Sequence, residues 1–256
     1  MNNPWVRRWT RESGPPALQL VCFAHAGGGA GSFRGWAPLL PPSVELLAVQ
    51  YPGREDRSGE EFARTVEDLV GDVTAALLPV LRTPYVVFGH SMGALLAHDV
   101  THALVAAGAP VPHHLVVSGR RPPQDDLGGR LHLGDDEDLV AEVVRLGGTS
   151  PEVLADEGFR RLVLGYVRAD YRLVETYVPR RRVPLTCPVT AYVGDADPEV
   201  TPQQAARWAD VTAAGCDVRT FPGDHFYLVP QRRAVVADLL RRTAPDLVRP
   251  EWPETP

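Results

Sequence analysis

The stretch Gly89-His90-Ser91-Met92-Gly93 constrains this chain more than any other. It reads Gly-x-Ser-x-Gly, and its flanks give the pattern meaning. Before it runs Tyr85-Val86-Val87-Phe88, a β-branched and aromatic strand. After it runs Ala94-Leu95-Leu96-Ala97-His98-Asp99-Val100, a strong helix start. Strand, sharp turn and helix together hold a serine hydroxyl out on a strained corner, where glycines let the backbone crowd. The helix start also aims unpaired amides and the positive end of its dipole at charge developing near that hydroxyl.

A hydroxyl is a weak nucleophile until a base takes its proton, and the base in turn needs a carboxylate to orient it. Two later strands end in such groups. Pro188-Val189-Thr190-Ala191-Tyr192-Val193 leads into Gly194-Asp195-Ala196-Asp197-Pro198. Asp217-Val218-Arg219-Thr220-Phe221 leads into Pro222-Gly223-Asp224-His225-Phe226. The chain order is therefore Ser, Asp, His, the order of α/β hydrolases. Each group follows the C-terminal end of a strand, and in a parallel sheet those ends share one edge. Of eight histidines, His225 alone follows the terminal strand in a Pro-Gly-Asp-His turn. His98, His102, His113 and His114 suit surface or packing roles, and His90 is too close to Ser91 along the backbone to act on it. Asp195 and Asp197 share one loop, and either reaches His225; Asp224 suits a local cap or turn.

At 256 residues the chain is expected to form one α/β domain over 1–256. The net charge of -6 argues against nucleic acid as a partner. No apolar run is long enough to span a bilayer, and Met1-Asn2-Asn3-Pro4-Trp5 carries no signal-peptide core, so a cytoplasmic protein is expected. Cys22, Cys187 and Cys216 show no CxxC spacing and read as thiols of a reducing compartment. There is no metal-ligand cluster and no GxxxxGK phosphate loop, so neither metal nor cofactor is expected. All 26 basic residues are arginine, which excludes chemistry by lysine.

Strand and helix patterns alternate, predicting a mainly parallel sheet flanked by helices. Strands are expected near 5–9, 18–23, 44–50, 85–88 and 115–118, with helices near 33–40, 65–81, 202–211 and 232–242. Between Ser118 and Pro188 the strand rhythm breaks. Helical patterns near 135–146 and 159–175 fill part of this gap, and an insertion over 120–184 is expected to form a helical lid above the catalytic edge. Its Leu139, Val143, Leu162, Val163 and Tyr166 offer apolar surface, some of it to line an acyl channel and the rest to pack on the domain.

An oxyanion hole needs two amides. Met92, after the nucleophile, supplies the first. The loop Ala24-His25-Ala26-Gly27-Gly28-Gly29-Ala30-Gly31 supplies the second, because its backbone can approach closely. This loop lacks GxGxxG spacing and a following acidic residue, so it is not read as a dinucleotide site.

Several segments jointly resemble the type II thioesterases, discrete editing hydrolases of polyketide and nonribosomal peptide assembly lines. They are Phe23-Ala24-His25-Ala26-Gly27-Gly28, Gln50-Tyr51-Pro52-Gly53-Arg54-Glu55, Phe88-Gly89-His90-Ser91-Met92-Gly93, Ser118-Gly119-Arg120-Arg121-Pro122-Pro123 and Gly223-Asp224-His225-Phe226. The resemblance spans roughly residues 5 to 240, with Ala24 where the family generally has proline. It implies an α/β-hydrolase fold with a helical lid, a nucleophile at Ser91, an acid at Asp197 and a base at His225. It places the oxyanion amides on Ala26 and Met92, and matches the family's lid-region Asp and Tyr with Asp170 and Tyr177. It implies hydrolysis of acyl thioesters on the phosphopantetheine arm of an acyl carrier or peptidyl carrier protein. His25, Arg120, Arg121 and Tyr177 are candidates for binding substrate or carrier, and Arg180, Arg181 and Arg182 for steering the carrier. The enzyme is expected to act as a monomer, and its start and end favour a discrete enzyme over an excised releasing domain. The competing readings are a carboxylesterase or lipase acting on free esters, and a non-catalytic binding module of the same fold.

Overall fold

The alternation of β-branched runs with amphipathic stretches builds a seven-stranded sheet in the computed structural model, which describes residues 3–9, 14–126, 128–149 and 152–247. The strands are β1 (Val6–Trp9), β2 (Leu18–Phe23), β3 (Val44–Val49), β4 (Tyr85–His90), β5 (His114–Ser118), β6 (Val189–Gly194) and β7 (Cys216–Phe221). Their order across the sheet is β1-β3-β2-β4-β5-β6-β7, and every pairing is parallel except that of β1 with β3. Each residue of β2 to β6 is buried. Near-continuous apolar runs suit such strands, because helices cover both faces of a parallel sheet.

The strand order creates the crevice. After β2 the chain moves outward to β3, then returns past β2 to β4. The connections leaving β2 and β4 therefore diverge, and ligands of open α/β sheets bind at such a switch point, beyond the strands' carboxyl ends. Here those ends carry the glycine-rich loop and the Ser91 turn.

Helix α1 (Val66–Leu77) starts where the Thr65 hydroxyl accepts the Asp68 amide at 3.1 Å. It stops short of the expected residue 81, because Pro79 has no N–H to extend the ladder. Helix α2 (Met92–Ala106) follows Ser91 directly. The expected helix at 33–40 is a 3₁₀ helix over Ala30–Leu39, since Gly31, Gly35 and Pro38 weaken an α-helical ladder. Its Phe33 and Trp36 rings meet Phe88 of β4 at 5.9 and 4.9 Å, filling the core behind the nucleophile.

Between β5 and β6 lie α3 (Asp136–Arg145) and α4 (Glu157–Glu175). Asp135 closes a capping box on α3, and Asp156 caps α4 through the Phe159 amide at 2.7 Å. Leu139, Leu164 and Val167 form a small apolar cluster of their own, while Leu173 near the end of α4 joins the main core. Residues 127, 150 and 151 of this segment lie outside the described residues, as do 1–2, 10–13 and 248–256 of the expected 1–256 domain. The expected helix at 202–211 is a four-residue α5 (Pro202–Ala205) that tightens into a 3₁₀ turn to Val211. Helix α6 is Arg232–Thr243. It flanks the edge strand β7, whose Asp217 and Arg219 pair with Arg242 and Asp238 at 3.0 and 3.3 Å.

Candidate active site

Ser91 joins β4 to α2 with φ 54° and ψ -118°, a conformation that a side-chain-bearing residue adopts only under strain. The Ser91 amide donates to the Ser118 carbonyl at 2.8 Å, tying the corner to β5. The flanking glycines are sterically required. A Cβ on Gly89 would run into the Gly93 carbonyl, and one on Gly93 would run into the Phe23 carbonyl of the neighbouring strand. Met92 is the first helical residue, so its N–H has no intrahelical acceptor.

His225 follows β7 and reaches back across the sheet edge. Its Nδ1 lies 3.0 Å from both carboxylate oxygens of Asp197. Both side chains are shut off from solvent, at 1% and 0% exposure, which strengthens their pairing. Asp197 Oδ1 also accepts the Glu199 amide at 2.8 Å. Asp195, which the sequence leaves open as the acid, takes the Gly223 amide at 2.9 Å instead. Asp224 takes the Phe226 amide at 2.8 Å, as its expected turn role requires. With Nδ1 turned to Asp197, His225 Nε2 is a buried nitrogen without a hydrogen-bond partner among the described residues.

Two cavities meet at this point. One of about 390 Å³ is lined by Ala26, Ser91, Met92 and His225 together with Arg120, Arg121 and several acidic side chains. The other, about 310 Å³, shares Ala26, Ser91 and His225 but is walled by Val143, Phe159, Val163, Val167 and Phe226. Leu146 and Tyr171 stand on the divide between them. Helices α3 and α4 thus contribute walls to both. Leu139 does not reach either cavity; it is fully buried in the helices' own cluster. Leu162 is half exposed, and Tyr166 packs on Phe62 and Arg54.

His25 lines the apolar cavity, edge-on to Phe226 at 4.8 Å and 6.0 Å from the His90 ring. Burial, followed by the nearby His225 and Arg54 charges, pushes its pKa down to about 4. Arg120 and Arg121 line the polar cavity, but both are engaged: Arg120 pairs with Asp126, and Arg121 donates to the Glu199 carbonyl at 2.8 Å. Tyr177, the remaining candidate for binding substrate or carrier, stands apart from these two cavities. Its side chain turns into the core, where its hydroxyl donates to Asp99 Oδ2 at 3.0 Å, and it lines neither cavity.

Sequence reasoning missed the support behind His225. The His90 ring packs on the His225 ring at 4.9 Å, and His90 Nδ1 bonds the Ser118 hydroxyl at 2.9 Å. That hydroxyl meets the Tyr227 phenol at 2.6 Å. Burial holds His90 well below the usual histidine range, so it stays neutral beside the base. No local pattern signals this, since its members come from three separate strand ends.

A strained serine and a carboxylate-bound histidine lining one crevice at the switch point of a mainly parallel sheet define a serine hydrolase of the α/β-hydrolase fold. The family model for the thioesterase domain matches residues 18–243, and the chain belongs to that family. It is similar to the thioesterase PikA5 of Streptomyces venezuelae, at 40% identity over 248 residues, covering 94% of this chain and 88% of that protein. It is similar at the same identity to a probable cadicidin biosynthesis thioesterase of Streptomyces griseus, covering 96% of this chain and 68% of that protein. The solved structure of the type II thioesterase BorB, from the borrelidin biosynthetic cluster, matches with a TM-score of 0.86 at 40% identity, covering 93% of this chain and 97% of that one.

Proposed function

We propose that this enzyme hydrolyses acyl groups held as thioesters on the phosphopantetheine arm of an acyl carrier or peptidyl carrier protein, clearing stalled or misprimed units from a polyketide or nonribosomal peptide assembly line. The observation that carries this reading is that Ser91 and His225 line both cavities at once. A substrate bent at its carbonyl can then place an acyl chain in the apolar cavity and the pantetheine arm in the polar one. Family membership favours the thioester over a free ester, and the printed names of the relatives point to natural-product pathways.

Asp197 fixes His225 with Nδ1 protonated, leaving Nε2 to accept the Ser91 proton as the hydroxyl attacks the thioester carbon. The amides of Ala26 and Met92 receive the oxyanion. The carbon–sulfur bond breaks, and His225 gives its proton to the leaving pantetheine sulfur. Water, deprotonated by His225, then attacks the acyl-Ser91 ester; the Ser91 oxygen leaves with that proton, and a free carboxylic acid departs. Helices α3 and α4 act as the lid over residues 120–184, limiting water at the acyl-enzyme. The enzyme works as a monomer in the cytoplasm, where its three free cysteines suit reducing conditions. No helix among the described residues is long and apolar enough to cross a membrane.

The test is a panel of acylated carrier proteins and matched nitrophenyl esters, run with the wild type and Ser91→Ala. The expected result is a preference in kcat/KM for acyl-carrier substrates, with all turnover lost in the variant. Preference for the free esters would replace this reading with a carboxylesterase.

A further inference from the structure

The glycine-rich loop that carries Ala26 is held by a buried charge pair that the chemistry above does not use. Arg54 follows β3 and Asp170 lies on α4, and the two form a two-pronged ion pair at 2.5 and 2.8 Å. Their side chains are 3% and 1% exposed. Burying two charges carries a large desolvation cost, so such a pair is weak evidence of stabilisation and calls for another role. Both partners reach past each other to the loop backbone. Asp170 Oδ2 accepts the Gly27 amide at 2.7 Å, and Arg54 Nη1 donates to the Gly28 carbonyl at 3.1 Å. The rings of Tyr51, Phe62 and Tyr166 surround the guanidinium carbon at 5.4, 5.9 and 5.6 Å and fix its place.

What this pair grips is a single tight turn. The Gly28 amide returns to the His25 carbonyl at 3.0 Å, and Gly27 has φ +83°. A bond between the first and fourth residues with positive φ at the third is the signature of a type II turn. In the alternative type I turn the central peptide, which joins Ala26 to Gly27, is flipped over. The Gly27 N–H belongs to that central peptide, so its acceptor decides which turn forms. We infer that Asp170, held by Arg54, is a positioning residue that fixes the Ala26–Gly27 peptide of the 25–28 turn and thereby steadies the peptide before it, whose N–H is the Ala26 amide, toward the oxyanion. The inference rests on the acyl-transfer reading proposed above. It also means that the hole is complete only while α4 is seated: Val167 of the same helix lies where a Cβ on Gly27 would approach within 2.9 Å. An amide stabilises the oxyanion only if it is already aimed when charge develops, so a loose turn costs turnover rather than binding.

The experiment compares wild type with Asp170→Ala and with the double variant Arg54→Met/Asp170→Leu, which removes the grip without leaving a buried charge unpaired. The substrate is the butyryl thioester of N-acetylcysteamine, and butylboronic acid serves as the tetrahedral mimic formed on Ser91. Folding is followed by circular dichroism and thermal midpoint. The expected result for a folded variant is a fall in kcat on the order of 100-fold, the scale of losing one oxyanion donor, with KM within about threefold of wild type. Affinity for the boronic acid should fall by a similar factor. Arg54→Lys, which keeps the charge but not the two-pronged fork, should lie between. A folded double variant with wild-type kcat overturns the inference, as does a loss confined to KM with boronic acid affinity intact. Ser91→Ala separates the two levels: if it is inactive while the double variant is normal, only the positioning role fails, whereas turnover surviving in Ser91→Ala brings down the acyl-enzyme reading itself.

Discussion

At the scale of single residues, the two aspartates of one loop are separated by what they touch. Asp197 holds the His225 ring and Asp195 holds a backbone amide of the next loop. Asp197→Asn is expected to lower kcat about ten-thousandfold, because an amide donor facing Nδ1 favours the wrong tautomer. Asp195→Asn keeps an acceptor for Gly223 and should cost far less; steady-state kinetics on one acyl thioester decide between them, and the reverse ranking sinks the assignment. Ser91 and His225 are legible in the sequence because a strained elbow and a post-strand histidine need particular neighbours. The choice of Asp197 comes from family resemblance, since two carboxylates two positions apart look equivalent until the loop is folded. Tyr177 shows another limit: a family pattern selects the phenol, but its bond to Asp99 is visible only in the folded chain.

At the scale of elements, α3 and α4 supply the walls of the apolar cavity through Val143, Phe159, Val163 and Val167. Val143→Trp or Val163→Trp should shorten the preferred acyl chain while leaving Ser91 labelling by a small fluorophosphonate unchanged. Unaltered preference in both variants, measured over a ladder of acyl lengths, would assign these helices to packing alone. Charge reversal at Arg180 and Arg181, which are exposed beyond α4, should slow use of an acyl-carrier protein more than use of a small thioester, and most at low salt. Equal effects on both substrates at low salt would remove them from carrier steering. The helices themselves are readable from apolar spacing, and the structure moves their ends by only a few residues. Their tie to the glycine-rich loop is not readable, because Arg54 and Asp170 stand 116 positions apart and the family pattern that marks each of them says nothing of their contact.

At the scale of the whole molecule, several buried or half-buried histidines set the acid limit of the fold. Burial, with help from neighbouring positive groups, pushes His25, His102 and His114 each down to about 4, and holds His90 well below the usual range. Their ordinary value near 6.5 applies in the unfolded chain, so that state binds more protons as pH falls. Stability is full above about 6.5 and is lost progressively down to about 4, at up to about 1.4 kcal/mol per pH unit for each such histidine. Urea midpoints measured from pH 7.5 to 4.5 should therefore decline through this window, and His114→Asn should flatten the slope; constant midpoints would contradict it. Sheet order, too, is partly legible: buried runs announce parallel strands, but which strands stand at the rims depends on the crossover and not on any one segment. That rim has a material consequence. Among the described residues no strand pairs with the outer side of β7, the kind of border on which a second polypeptide can zip itself into a continuous ribbon. Asp217 and Arg219 crowd it with fixed charge, so a stranger's strand must strip those ion pairs of water and counterpart before docking. Concentrated brine thins that barrier, and prolonged storage in strong salt is where stray threads would first begin to form.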